Sequence, residues 1–225
     1  MASKEQNKIW MQLEKISAVL GIEAPDFYIT SKKTSKIFVE NTAPASIIIS
    51  QSLLDEFSEQ EVNFILAKYL FYIAQKQTLA LKLDEKELKR YFNLLCKSFV
   101  ETTTPLSTDD QALIKNIKWY LPRKLTNALK ERTDIWVNMT KENVETYLKL
   151  LEFASNRCAL LVTESLELCV QMVYRLHILQ QTGKLVKFEK IAAADMIKVD
   201  GINDLLLYNV SEEYSKLRKA SNISL

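Results

Sequence analysis

Residues 58–76 read SEQEVNFILAKYLFYIAQK, and the reading of this stretch decides the fold. Ser58 and Glu61 stand three apart, the spacing of a capping box. The serine hydroxyl accepts from the amide of the third helical residue, and the glutamate reaches back to the cap amide. Val62, Ile65, Leu66, Tyr69 and Ile73 then recur at three- and four-residue intervals, which predicts a helix with a buried stripe. Into its middle are set Lys68, Tyr69 and Tyr72. On local chemistry alone, Lys68 snorkels to water while the two tyrosines fill the rim with their hydroxyls outward.

Before this helix, Ile9, Met11 or Leu13, Ile16, Val19 and Leu20 give an amphipathic helix that stops at Gly21. After Pro25 the pattern changes: FYIT (27–30), KIFVE (36–40) and SIIIS (46–50) are short, β-branched and aromatic, with polar turns between them. They predict a small sheet. Beyond it, Asp84 with Glu87 opens a helix through Leu88, Tyr91, Phe92 and Leu95. Ser107, followed by Asp109 and Asp110, opens another that ends before Pro122. A further helix runs from Leu125 towards Trp136. Thr140 is expected to cap the next, through Tyr147, Leu151, Ala154 and Cys158, with a break near Thr163-Glu164 before continuation to Leu179. Ser211 with Glu212 and Glu213 starts a last short helix. The run Leu205-Leu206-Leu207-Tyr208 is expected in the core, and residues 180–210 read equally as a docking surface or a loop. With no long linker, low-complexity tract or repeat, the expectation is a single domain over 1–225, α+β but mainly helical, a helical bundle carrying a small edge sheet.

Composition excludes several functions. With 3 Gly, at 21, 183 and 201, there is no glycine cluster for a dinucleotide fingerprint or a phosphate loop. The formal net charge of +2 does not suggest a nucleic-acid footprint. The local clusters Arg123/Lys124/Lys130/Arg132, Lys184/Lys187/Lys190 and Lys216/Arg218/Lys219 read as solvated faces or helix ends. Nucleic-acid binding through the first two is kept as a rival. No stretch is apolar for long enough to span a bilayer, and the charged start MASKEQNKIW has no secretory apolar region. Membrane insertion is not expected, and the sequons at Asn138 and Asn222 lack a secretory setting. Cys96, Cys158 and Cys169 are odd in number and lie in apolar patterns, as reduced buried thiols in the cytoplasm do. The one histidine, His177, leaves neither a catalytic triad nor a usual zinc-ligand set. No catalytic residue, metal or cofactor is assigned.

The stretch IIISQSLLDEFSEQEVNFILAKYLFYIAQ (47–75) resembles the core of the zinc metallopeptidase family that includes HtpX. In that family an apolar edge strand, a Leu-rich segment and an acidic cap lead into a helix bearing His-Glu-x-x-His. Ile47–Ser50 stands at the strand and Ala67 at the alanine before the first histidine. Lys68 stands at the first histidine, Tyr69 at the glutamate and Tyr72 at the second histidine. The family's second motif, Glu-x-x-Ala-Asp-Arg, is matched by EFASNR (152–157): Glu152 at the third zinc ligand, Ser155 at the alanine, Asn156 at the aspartate and Arg157 at the arginine. One ligand of three is kept. The runs ASNRCALLVTESLELCVQMV and LLLYNVSEEYSKLR also resemble the C-terminal domain of large bacterial tetratricopeptide-repeat proteins of the myxobacterial kind, which implies a piece of a longer protein.

The resemblance implies a gluzincin-type core without its metal, a bacterial pseudoenzyme. Lys68, Tyr69, Tyr72, Glu152 and Asn156 are its vestigial zinc-site positions. Lys68 is then expected to bring its ammonium to Glu152, replacing the lost metal charge beside a buried carboxylate, with Tyr72 filling the remaining space. The implied function is a non-catalytic protein-interaction or scaffolding module, with protein partners and a homo-oligomer both open. The rival within this scaffold is an enzyme using an unconventional site around Glu152, Tyr69 and Tyr72.

Overall fold

The computed structural model describes residues 4–99, 106–139, 143–186 and 193–221. These are mainly helical, with one small sheet. They gather into two compact units: one from Met1–Thr78 with Leu151–Leu225, the other from Leu79–Leu150.

In the first unit, α1 (Lys4–Val19) ends where Gly21 takes a left-handed φ of 67°, a conformation nearly free of cost only for glycine. Then come β1 (Asp26–Thr30), β2 (Phe38–Glu40) and β3 (Ser46–Ser50). Their spatial order is β1-β3-β2, with β1 parallel and β2 antiparallel to β3. The segment placed at a sheet edge by the resemblance is therefore the central strand. The physical reason is in its letters: an uninterrupted apolar run suits a strand paired on both sides, and Ile47 and Ile49 are buried. Val39, opposite Ile47, joins that buried face. On the other face, Tyr28, Ile48 and Phe38 stand in one row across the three strands.

Ser50 leaves the sheet and caps the short α2 (Gln51–Leu54) by accepting from the Leu53 amide. The α3 helix (Glu59–Ala74) begins with the expected capping box in full. Its burial is wider than a stripe: residues 64–70 are buried without a break. A helix buried on most of its circumference is a core element, and the Ser58–Ala74 segment is the axis of this unit.

The C-terminal part of the unit holds the end of α7 (Asn143–Thr163), then α8 (Leu166–Thr182), α9 (Ala193–Met196), α10 (Asp200–Asn209) and α11 (Glu212–Ser221). The break before α8 is where expected: Glu164 has a φ of 57° and Ser165 caps α8. The 205–208 run divides: Leu205 and Tyr208 are buried, Leu206 and Leu207 exposed, because a helix sends neighbours to different faces. Ser211 accepts from the Tyr214 amide at 3.1 Å, as its sequence position suggests. The Thr140 cap and the residues Lys187, Phe188 and Lys190 lie outside the described residues.

The second unit contains α4 (Glu85–Lys97), α5 (Thr108–Tyr120), α6 (Arg123–Met139) and the start of α7. Asp84 caps α4 with a full capping box, and Ser107 caps α5. Leu88 and Leu94 are buried on α4, whereas Tyr91 is exposed. An apolar cavity of about 110 Å³ lies among Phe92, Leu95, Cys96, Phe99, Leu129 and Thr133. Among the described residues no helix is long and apolar enough to cross a membrane.

Candidate functional site

Lys68 is carried by the middle of α3, where its neighbours Phe64–Leu70 are all buried, so its side chain must run through the interior. It does not snorkel: the residue is 5% exposed. Its Nζ donates to Asn156 Oδ1 at 2.6 Å and stands 3.8 Å from Glu152 Oε1. Glu152 and Asn156 are one helical turn apart on α7, so both project from one face towards the same ammonium. The structure thus brings Lys68, Glu152 and Asn156 together. Tyr69 and Tyr72 are buried on the same helix as Lys68, and Tyr72 packs edge-on against Phe71 at 6.0 Å.

The pairing differs from expectation in which group is buried. The Glu152 side chain is 47% exposed and Lys68 is enclosed, so the carboxylate sits at the rim and the cation is the group that loses its water. Burial accordingly lowers the Lys68 pKa, and Glu152 only partly restores it. Burial raises the Tyr69 phenol well above its ordinary value, assisted by Tyr72 and then Glu152. In both residues burial favours the neutral side chain, while Glu152 opposes it at Lys68 and supports it at Tyr69.

Asn156 is the polar centre of the cluster. It is fully buried, its Oδ1 is taken by Lys68, and its Nδ2 has no hydrogen-bond partner among the described residues. Gly201 of α10 lies against that amide: a Cβ there would stand 3.2 Å from Asn156 Nδ2 and 3.4 Å from Val173 Cγ1. A glycine at this position lets α10 approach closely. One residue on, Arg157 holds Asp204 through two hydrogen bonds, Nε to Oδ2 at 2.9 Å being one, and lies over the Tyr208 ring at 4.8 Å. The EFASNR segment therefore ties α7 both to α3 and to α10.

A more fully enclosed ion pair lies at the start of α3. Glu61 Oε2 accepts from the Ser58 amide at 2.7 Å, while Oε1 accepts from Arg175 of α8. Arg175 also donates to the Glu56 carbonyl at 3.3 Å and covers the Phe57 ring. Sequence reading gave Glu61 its capping role but missed Arg175, whose only signal was a charge inside an apolar helix. Gly201 was likewise missed.

The other candidates stand apart chemically. His177 is half-buried on α8 with its Nε2 2.9 Å from the Gln181 amide nitrogen. Burial pushes the Cys158 and Cys169 thiols up to about 12, which leaves them protonated and unreactive near neutrality. Arg123, Lys124, Lys130 and Arg132 are exposed on α6. Lys216 pairs with Glu212 and Arg218 with Glu164.

A zinc ion does not fit the cluster. Its donors are an ammonium, two buried phenols, an amide and one rim carboxylate, whereas a catalytic zinc takes three imidazole, thiolate or carboxylate ligands. Among the described residues no group of three His, Cys, Asp or Glu is placed to hold a metal ion. Two clefts open on this unit. One of about 410 Å³ is lined in part by Lys8, Gln12, Ile29 and Glu59. The other, about 630 Å³, is lined in part by Lys33, Ser52, Arg175 and Lys184. Neither touches Lys68, Tyr69, Tyr72 or Glu152. Comparison with protein-family models, with curated proteins and with solved structures found no match to this chain.

Proposed function

We propose that this chain is a non-catalytic protein-interaction or scaffolding module built on a metallopeptidase-like core whose zinc site has been refilled by side chains. The observation that carries the reading is the convergence of Lys68 with Glu152 and Asn156. These are the positions that the resemblance assigns to the first zinc ligand, the third zinc ligand and the supporting aspartate. In an active site of that kind the ligands meet at a divalent cation. Here the Lys68 ammonium supplies a tethered positive charge at the meeting point, and Asn156 replaces an anionic support with a neutral one. One carboxylate beside one ammonium is a balanced pair, and an aspartate added at 156 would leave an excess negative charge in a closed interior.

Several features support a role through surface rather than chemistry. The Tyr69 phenol and the Cys158 and Cys169 thiols are held protonated by burial. The α3 capping box and the Arg157–Asp204 and Arg175–Glu61 pairs tie the helices of the first unit to one another. The bacterial cytoplasm, a protein partner and membership of a longer repeat-containing chain belong to this proposal through the resemblance.

The test is to incubate the purified chain with zinc, record its native mass, and assay it against a fluorogenic peptide library. The expected result is a metal-free mass and no cleavage. A stoichiometric zinc adduct that survives mild chelation, or cleavage abolished by Glu152→Gln or Tyr69→Phe, would overturn the proposal in favour of an enzyme.

A further inference from the structure

We propose that the Trp119–Tyr120 corner of the second unit is a docking surface for an anionic lipid bilayer. Trp119 is 82% exposed and Tyr120 80% exposed, side by side at the end of α5. The α5 helix has no buried residue. At Leu121 the backbone becomes extended, Pro122 follows, and α6 begins at Arg123 with Leu125 also exposed. The result is a turn between two helices that presents an indole, a phenol and an aliphatic side chain to solvent.

Charge selects the partner. Lys115 and Lys118 precede the aromatic pair, Arg123 and Lys124 follow it, and all four are exposed. Residues 111–130 contain these and Lys130, and no Asp or Glu. A chain with a net charge of only +2 has therefore gathered cations around the most exposed aromatic side chains among the described residues. Lys and Arg near an anionic leaflet each strengthen partitioning about fivefold, and Trp and Tyr prefer the headgroup level, where ring and polar end are both satisfied.

Phosphate charge is common to bilayers and nucleic acids, but the local shape favours the bilayer. Adjacent residues on an α-helix point about 100° apart, so the two rings do not share one stacking plane, and they stand out from a corner rather than line a groove. Single-strand binders instead set aromatic platforms along a basic channel. The corner does not span the membrane; it would rest at the interface, as amphipathic surface elements do.

The experiment is co-sedimentation of the whole chain with phosphatidylcholine vesicles, with and without phosphatidylserine, with single-stranded oligonucleotide binding measured in parallel. Binding is expected to the anionic vesicles only, and to weaken as salt is raised. Lys118→Ala with Arg123→Ala should lower partitioning roughly 25-fold. Trp119→Ser with Tyr120→Ser should also weaken it at unchanged far-ultraviolet circular dichroism, which controls for folding. Equal sedimentation with neutral vesicles, no sedimentation at low salt, unchanged binding by either variant, or binding to the oligonucleotide but not to vesicles would each overturn the proposal.

Discussion

At Lys68 an ammonium lies inside the protein with one short hydrogen bond, to Asn156 at 2.6 Å, and a carboxylate 3.8 Å away at the rim. Burial lowers its pKa, so the unfolded chain holds that proton more tightly than the folded one. The burial cost is complete below the lowered folded value and disappears as pH rises past the ordinary lysine value of about 10.4. The stability of the wild-type protein relative to Lys68→Met is therefore expected to rise between about pH 7 and about pH 10. Urea titrations of both proteins at the two pH values measure it, and a flat or falling difference would refute the assignment. Substitutions should also rank in order. Asn156→Leu strands the buried cation and is expected to cost about 3 kcal/mol. Lys68→Met leaves an amide without its donor, about 1–3 kcal/mol, but also removes the buried charge and should be the milder. The double variant should be more stable than Asn156→Leu alone. The sequence, through the resemblance, brought Lys68 and Glu152 together. It did not show that Asn156 is the nearer partner or that Glu152 is half-exposed, since both depend on how α7 approaches α3, which no local pattern encodes.

Among the elements, α3 shows how one residue can fix a helix twice. Glu61 closes the capping box with one oxygen and holds Arg175 of α8 with the other. Ser58→Ala removes only the cap bond and is expected to cost about 1 kcal/mol. Glu61→Ala also leaves the buried Arg175 without its carboxylate and should cost about 3 kcal/mol. Thermal unfolding of the pair checks the ranking, and equal losses would mean that the Arg175 contact contributes nothing. The approach of α10 to α7 gives a second prediction. Gly201→Val places a branched side chain against Asn156 and Val173 and is expected to destabilise by about 1–3 kcal/mol through overpacking; an unchanged melting temperature would count against the close contact. Caps, strands and the break at Glu164 were legible because each is written in neighbouring residues. The central place of β3 and the split fate of Leu205–Tyr208 were less so, because pairing and burial are settled by distant partners.

Over the whole chain, the two compact units differ in how much interior they own. The first encloses α3 on nearly all sides, while in the second α5 buries none of its described side chains. Native-state hydrogen exchange should follow this difference: amides in the middle of α3 are expected to exchange at least about 100-fold more slowly than those of α5. Comparable rates would show that the units open together. Composition and periodicity led to one domain, since no Gly- or Pro-rich linker separates the units. The segmental grouping of the N- and C-terminal parts is a matter of tertiary contact alone. The claim that the first unit is a metallopeptidase-like frame with a refilled zinc site is tested most directly by refitting the ligands. Lys68→His, Tyr69→Glu and Tyr72→His would place His-Glu-x-x-His on α3, with Glu152 as the third ligand. The measurement is zinc stoichiometry by native mass spectrometry of this variant, with circular dichroism to establish that it folds. One zinc per chain, lost on adding Glu152→Ala, is the expected result. A folded variant that takes up no zinc, or holds it equally well without Glu152, would contradict the claim.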